Sequence, residues 1–263
     1  MTAQKNQAAK QKKFWEKMAE KYPLPFEEKH LAKTKRIISM AEQRGVRIDG
    51  AAILDVGCGT GVYSLPLAQQ AANVVGLDLS EEMARRFAAQ QQEQSIENAS
   101  VIQSPWNDTA VAEHGWDKAF DIVWAAMTPA VRSPEDLARM HRCARTWCVY
   151  IGWGGLRRNP FLEEVYQAHG QVFGPPPGAK AVQAHLSAMG IAAEIELIHD
   201  HWDWEGTEEE AAAHAEGFLH AQTEAEPQPK LIREIIARFS TDGMVRCRSE
   251  VEKGLIVWQA PAP

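Results

Sequence analysis

The sequence predicts an α/β fold: a seven-stranded, mostly parallel sheet with helices on both faces, an N-terminal helical flap and a substrate-side insertion. Two observations carry this. Over the first two-thirds of the chain, short apolar runs alternate with stretches of helical periodicity, the pattern of a parallel sheet covered on both sides. The first of these runs ends in three alternating glycines, which mark a tight turn from strand to helix. The 263 residues are 45% apolar and 24% charged, enough to bury a sizeable core and unlike a disordered chain.

Residues 13–43 read as helix, with Phe14, Trp15 and Met18 on one face and Leu31, Ile37, Ile38 and Ala41 on another. Tyr22-Pro-Leu-Pro25 breaks this stretch in two. Buried strands are expected at 53–56, 73–79, 99–103, 120–127 and 146–153, followed by a long strand at 191–204 and a last one at 254–258. Helix starts lie between them. Ser80-Glu-Glu-Met83 and Ser133-Pro-Glu-Asp136 place a cap residue and acids at an N-terminus, Asn159-Pro160 adds a third start, and Thr207 with Glu210 forms a capping box. The expected division is residues 1–45 as flap, 46–153 as ligand-binding core, 154–244 as insertion and 245–263 as closing strand.

Ile53-Leu-Asp-Val-Gly-Cys-Gly-Thr-Gly61 is the most informative stretch. Glycine lets the backbone approach a ligand with no Cβ in the way, and the helix that follows offers free N–H groups. The next strand ends in Asp78, 17 residues beyond Gly61, where a carboxylate can accept from both hydroxyls of a ribose. A dinucleotide fingerprint fits badly, because Val62 stands where G-x-G-x-x-G wants its last glycine. Asp55, directly beneath the glycines, would repel a pyrophosphate but suits a cationic amino group.

In these residues the chain resembles the class I (Rossmann-like) S-adenosylmethionine-dependent methyltransferases, over about residues 14–153. Leu54-Asp-Val-Gly-Cys-Gly-Thr-Gly61 is similar to their glycine motif, and Gly76-Leu-Asp-Leu-Ser80 with Met83 to their second motif. The resemblance implies S-adenosylmethionine as cofactor, with Asp55, Gly57 and Gly59 against its methionyl part, Asp78 on its ribose, and Leu79 with Met83 beside its adenine. Cys58 belongs to the same loop as a small side chain and not as a nucleophile. Family members often place an acid after the third strand, but here the stretch is Ser104-Pro-Trp-Asn107. Pro105 takes the acid's place, Trp106 offers a stacking wall, and Ser104, Asn107 or Asp108 would have to read the adenine.

Phe120-Asp-Ile-Val-Trp-Ala-Ala-Met-Thr-Pro129 is similar to the family's fourth motif, at whose tip the small Ala125 leaves room for an acceptor. It lacks the Asn/Asp-Pro-Pro-Tyr/Phe signature associated with amide or base N-methylation. Candidate acceptor contacts are Trp15, Tyr22, Met127, Trp153, Arg157 and Arg158. Arg157 and Arg158 stand beside the helix start at Asn159-Pro160, a combination that suits a carboxylate or phosphate on the acceptor. Tyr22, His114, His169 and His199 could each act as a base, and nothing in the pattern selects one. His199, His201, His214 and His220 do not share one face, so no metal site is expected.

The predicted function is methyl transfer to a small-molecule acceptor. The alternative is a protein that binds S-adenosylmethionine without catalysis or uses it for other chemistry. With 28 Lys plus Arg against 35 Asp plus Glu and no basic block, nucleic acid is not an expected partner. No run approaches the roughly 18 apolar residues of a membrane helix, so no membrane association is expected. The Gln- and Lys-rich start lacks an apolar segment, from which a cytoplasmic location is expected. Four cysteines without a C-x-x-C pair read as reduced thiols. The oligomeric state is not readable from the sequence.

Overall fold

The structure is a computed structural model that describes residues 12–260. It opens with a helix over residues 12–18 (α1), a single 3-10 turn at Ala19–Lys21, and α2 (Glu28–Gln43). Strands and helices then alternate: β1 (Ala52–Val56), α3 (Ser64–Ala68), β2 (Asn73–Asp78), α4 (Glu81–Glu93), β3 (Ala99–Gln103), α5 (Asp108–Glu113), β4 (Phe120–Ala126), α6 (Pro134–Cys143) and β5 (Ala144–Arg158). After these come α7 (Pro160–Ala168), α8 (Ala179–Ala188), β6 (Ile195–Thr207), α9 (Glu208–Gln222), α10 (Pro229–Phe239), β7 (Ser240–Thr241) and β8 (Met244–Gln259).

The sheet order is β3-β2-β1-β4-β5-β8-β6, with the two-residue β7 paired antiparallel to β8. The pairs β1–β2, β1–β4, β2–β3 and β4–β5 are parallel. Eight strands thus replace the seven expected, the extra one being β7. The order reverses at β1, whose neighbours are β2 and β4, so the crevice at the carboxyl ends of β1 and β4 is where an open sheet of this kind takes a ligand.

All four predicted helix starts are capped. Ser80 accepts from the Met83 N–H at 3.3 Å and Asn159 from the Leu162 N–H at 3.0 Å, while Ser133/Asp136 and Thr207/Glu210 form capping boxes. The five residues of α3 are too few for a helix to persist alone, and every one of them is buried, so packing holds it.

Two compact units can be separated. Among the described residues, the first holds 12–152, 179–196 and 254–260, and the second holds 153–178 and 197–253. The expected insertion at 154–244 is therefore interrupted: α8 returns to the first unit, while residues 245–253 lie in the second. Gly254 belongs to the reason. A Cβ there would stand 2.4 Å from that of Ala179, so β8 can run against the start of α8 only without one.

In the first unit Leu54, Val56, Val123 and Ala125 pack with Leu137 and Met140 of α6 and Val182 and Leu186 of α8. In the second, α7, α9 and α10 close around Phe161, Val165, Ala211, Leu219, Ile232, Ile235 and Ile236. The spacing of the three isoleucines is the i, i+3, i+4 stripe of an amphipathic helix. All four cysteines are buried free thiols. Among the described residues no helix is long and apolar enough to cross a membrane.

Candidate functional site

The loop after β1 is set by left-handed backbone at Gly57 (φ 72°), Gly59 (φ 56°) and Gly61 (φ 89°). Space adds a second demand at Gly57, where a Cβ would lie 1.9 Å from Thr128 Oγ1. The N–H groups of Gly57 and Cys58 both donate to the Leu77 carbonyl, at 2.7 and 3.1 Å, so the end of β2 anchors the loop. The Gly59 N–H donates to Asp78 Oδ2 at 2.9 Å, and the Ser80 N–H to Oδ1 at 2.8 Å. One carboxylate thus joins the glycine loop to the start of α4, and each oxygen keeps a lone pair for a ligand.

Burial pushes the Asp78 carboxyl above its usual range, the backbone N–H groups of Ser80, Gly59 and Leu79 partly offsetting it. Asp55 is buried beneath the loop, where its Oδ2 accepts from Ser64 Oγ at 2.5 Å. Burial raises its pKa from 3.8 to about 7, with the Asp78 charge adding to the rise and Ser64 opposing it. The folded protein therefore keeps a proton on Asp55 that the unfolded chain loses above about pH 4. Stability from this group is fully present below pH 3.8 and is lost as pH rises through about 7. Urea midpoints measured between pH 4 and 8 should fall with pH in the wild type, and Asp55→Asn should flatten the slope.

A cavity of about 230 Å³ lies against this loop. It gathers eleven of the residues expected from the sequence: Gly57, Gly59, Asp78, Leu79, Met83, Ser104, Pro105, Trp106, Trp15, Tyr22 and Met127. Trp15 meets Tyr22 edge-on, with ring centroids 6.0 Å apart, and Thr60 Oγ1 donates to the Pro23 carbonyl at 2.6 Å. The stretch from α1 to Pro23 is thereby docked on the glycine loop. Burial and the charges of Asp78 and Asp55 push the Tyr22 phenol up to about 12. It is an O–H donor at neutral pH.

Other expected residues serve different ends. Cys58 is turned into the protein, its Sγ where a Cβ of Gly76 would stand, and burial holds the thiol well above its usual pKa. Ala125 is fully buried in the core. Asn107 is the N-cap of α5, its Oδ1 accepting from the Ala110 N–H at 2.9 Å. Asp108 pairs with Arg139 at 3.2 Å.

Trp153, Arg157 and Arg158 belong to the second unit and find partners within it. The Arg157 guanidinium is only 7% exposed and lies 4.8, 4.6 and 5.3 Å from the ring centres of Trp153, Phe173 and Phe218. It donates to Gln222 Oε1 at 2.9 Å, and burial lowers its pKa. Arg158 is 63% exposed, 3.7 Å from Glu163. The helix start beside them is already used, because Asn159 caps it and the Glu163 carboxylate accepts from the Asn159 N–H at 3.0 Å. The expected convergence of two arginines and a helix N-terminus on an external anion is absent from this arrangement.

Two of the histidines named as bases lie in the second unit. Both ring nitrogens of His169 are engaged, by the Val165 carbonyl and the Gln228 N–H, and His199 faces Glu252 at 3.6 Å. His114 is stacked on Trp116 in the first unit.

Thr128, Pro129 and Ala130 line the cavity and were missed. They follow Met127, which holds a left-handed φ of 50° while its N–H donates to the Ile151 carbonyl at 2.7 Å. A β-strand ending in Met-Thr-Pro at the reversal of strand order was the available signal.

The donor set fits a nucleoside sulfonium of the S-adenosylmethionine type. Gly59 brings its backbone to the cavity, where a Cβ would touch Tyr22 at 3.4 Å, a carboxylate has a free lone pair on each oxygen, and Leu79, Met83, Pro105 and Trp106 supply apolar wall.

Comparison with known proteins agrees. Residues 53–148 match the methyltransferase domain family. Over 135 residues the chain is 31% identical to a 23S rRNA (uracil(1939)-C(5))-methyltransferase of Hahella chejuensis, covering 49% of this chain and 30% of that protein. Over 149 residues it is 27% identical to a ubiquinone biosynthesis O-methyltransferase of Acinetobacter baumannii, covering 56% and 59%. These matches span less than two thirds of either relative. The YcgJ protein of Bacillus subtilis superposes with a TM-score of 0.52 at 15% identity, over 86% of this chain and 98% of that one, and so shares the fold. The exclusion of nucleic acid drawn from charge balance does not stand, since three of the matched relatives are named as 23S rRNA methyltransferases.

Proposed function

We propose that this chain, whose residues 53–148 match the methyltransferase domain family, is a class I, S-adenosylmethionine-dependent enzyme that transfers the donor's methyl group to a small organic acceptor. The observation that supports the reading is one cavity in the first unit that joins the glycine loop and Asp78 to Trp15, Tyr22 and the Met127–Ala130 tip of β4. When bound, the sulfonium donor supplies both the electrophilic methyl carbon and its leaving group.

The chain's own work is then alignment and exclusion of water. Gly57 and Gly59 admit the donor to the backbone, Asp78 fixes its hydroxyls, and Leu79 and Met83 cover its apolar side. Trp15 and Tyr22 close the cavity from the flap, and Tyr22 enters as a neutral hydrogen-bond donor. The residues 127–130 present the acceptor.

The test is transfer from labelled S-adenosylmethionine to separated low-molecular-weight and RNA fractions of a cell extract, with S-adenosylhomocysteine followed over time. Label in a small compound is expected. Label only in RNA, the second reading that the rRNA-modifying relatives favour, would overturn the acceptor class and keep the reaction. Binding of donor without product would make this a non-catalytic domain.

The flap also has an expected behaviour. Residues 13–25 form a short, proline-broken piece with little stability of its own, so ligand in the cavity should hold it down. Amide exchange there should slow when S-adenosylhomocysteine is added. Equal exchange with and without ligand would make it a static cover.

A further inference from the structure

Among the described residues two arginines are buried, and their charges are balanced differently. Arg139, 9% exposed, is held by the carboxylates of Asp108 and Asp136, at 3.2 and 2.7 Å. Arg157, 7% exposed, pairs with no carboxylate among the described residues. A guanidinium withdrawn from water without an opposite charge is costly to the fold.

The surroundings of Arg157 belong to the second unit. The rings of Trp153, Phe173 and Phe218 lie against the guanidinium and offset part of that cost. Both of its hydrogen-bond acceptors are uncharged: Gln222 Oε1 at 2.9 Å and the Gly174 carbonyl at 3.4 Å. The Tyr166 hydroxyl, which donates to the Phe218 carbonyl at 3.0 Å, stands 3.4 Å from the same Gln222 oxygen. Burial pushes that phenol up to about 12, so it keeps its proton at neutral pH. Arg157 and Tyr166 therefore converge on one oxygen, and that oxygen belongs to an exposed side chain at the last residue of α9. Such a side chain can turn into water and vacate its place. Trp202, 39% exposed, meets Trp153 edge-on at 6.1 Å and carries the aromatic wall on toward solvent.

We propose that Arg157, Tyr166 and the rings around them form a site in the second unit for the carboxylate of a small apolar acid, one of whose oxygens replaces Gln222 Oε1. A carboxylate matches the fork of a guanidinium and accepts a stronger hydrogen bond than a carboxamide does. The walls select the class, since an apolar acid brings one charge and a body that suits the rings, whereas inorganic phosphate brings more charge to desolvate and no apolar body. The site goes beyond the methyl-donor reading and does not rest on it.

Calorimetry on the full chain with benzoate, benzamide and inorganic phosphate tests this. Benzoate should bind about 10- to 150-fold more tightly than benzamide, the range for hydrogen bonds to a charged group, and phosphate should not displace it. Two substitutions at Gln222 locate the binding. Gln222→Ala vacates the oxygen's place and should bind benzoate at least as tightly as the wild type. Gln222→Glu supplies a carboxylate from the chain itself and should abolish benzoate binding. Arg157→Lys keeps the charge without the fork and should weaken benzoate by about tenfold or more.

If Arg157→Lys does not fold, the Gln222 pair decides. Benzoate binding no tighter than benzamide, or binding to Gln222→Glu as to the wild type, would overturn the site. Displacement of benzoate by phosphate would overturn the carboxylate class. Each of these results leaves S-adenosylhomocysteine binding, and with it the methyl-donor reading, to be judged by its own titration.

Discussion

Asp78→Ala is expected to weaken S-adenosylhomocysteine binding by roughly 10- to 150-fold, the range for losing hydrogen bonds to a charged group. The geometry makes the substitution unusually damaging. The same carboxylate that would accept from the ribose also accepts from the Gly59 and Ser80 N–H groups, so its removal frees the glycine loop from the start of α4. Asp78→Asn should fare little better. Both oxygens already face backbone donors, and whichever becomes an amide nitrogen points N–H at N–H. Calorimetry on variants shown to be folded by circular dichroism checks this. An unchanged dissociation constant in either would remove Asp78 from the site.

The first unit was largely readable from sequence because its information is local. An apolar run, a glycine turn and a cap residue each act over a few residues, and Ile53 to Met83 contains two such runs, the turn at Gly57–Gly61 and the Ser80 cap. Strand β8 was read short for a physical reason. The first half of β8 alternates buried and exposed residues, with Arg246, Arg248 and Glu250 facing out, so a search for continuous apolar runs finds only its end. The roles of Asn107 and Arg157 were hidden differently. An asparagine ahead of a helix reads equally as cap or as ligand until its oxygen is seen on the Ala110 N–H. Two of the three rings that enclose Arg157 come from Phe173 and Phe218, 16 and 61 residues on, and no local pattern announces that they converge. Thr128 belongs to the same class, since its closeness to Gly57 depends on the register of β1 against β4.

That closeness sets the other large effect. Gly57→Ala is expected to destabilise the protein by about 2–5 kcal/mol: about 1–2 for forcing an L-residue into left-handed backbone, and about 1–3 for overlap with Thr128. This is a large share of the roughly 5–15 kcal/mol that holds a typical domain folded. The two components can be separated, because only the second involves a partner. A Cβ at position 57 would lie 1.9 Å from Thr128 Oγ1 and 2.6 Å from its Cβ, so trimming to alanine leaves an overlap, whereas Thr128→Gly removes both atoms. Thr128→Gly also gives up the bond that Thr128 Oγ1 accepts from the Ala130 N–H at 3.1 Å, and is expected to be mildly destabilising by itself. Combined with Gly57→Ala it should restore the overlap component and leave the backbone strain of φ 72° untouched. Urea unfolding of the four proteins in the cycle should therefore show the double variant more stable than the sum of the singles predicts. Additive losses would mean that the tip of β4 yields to a side chain at position 57, and that Thr128 does not close this face of the cavity.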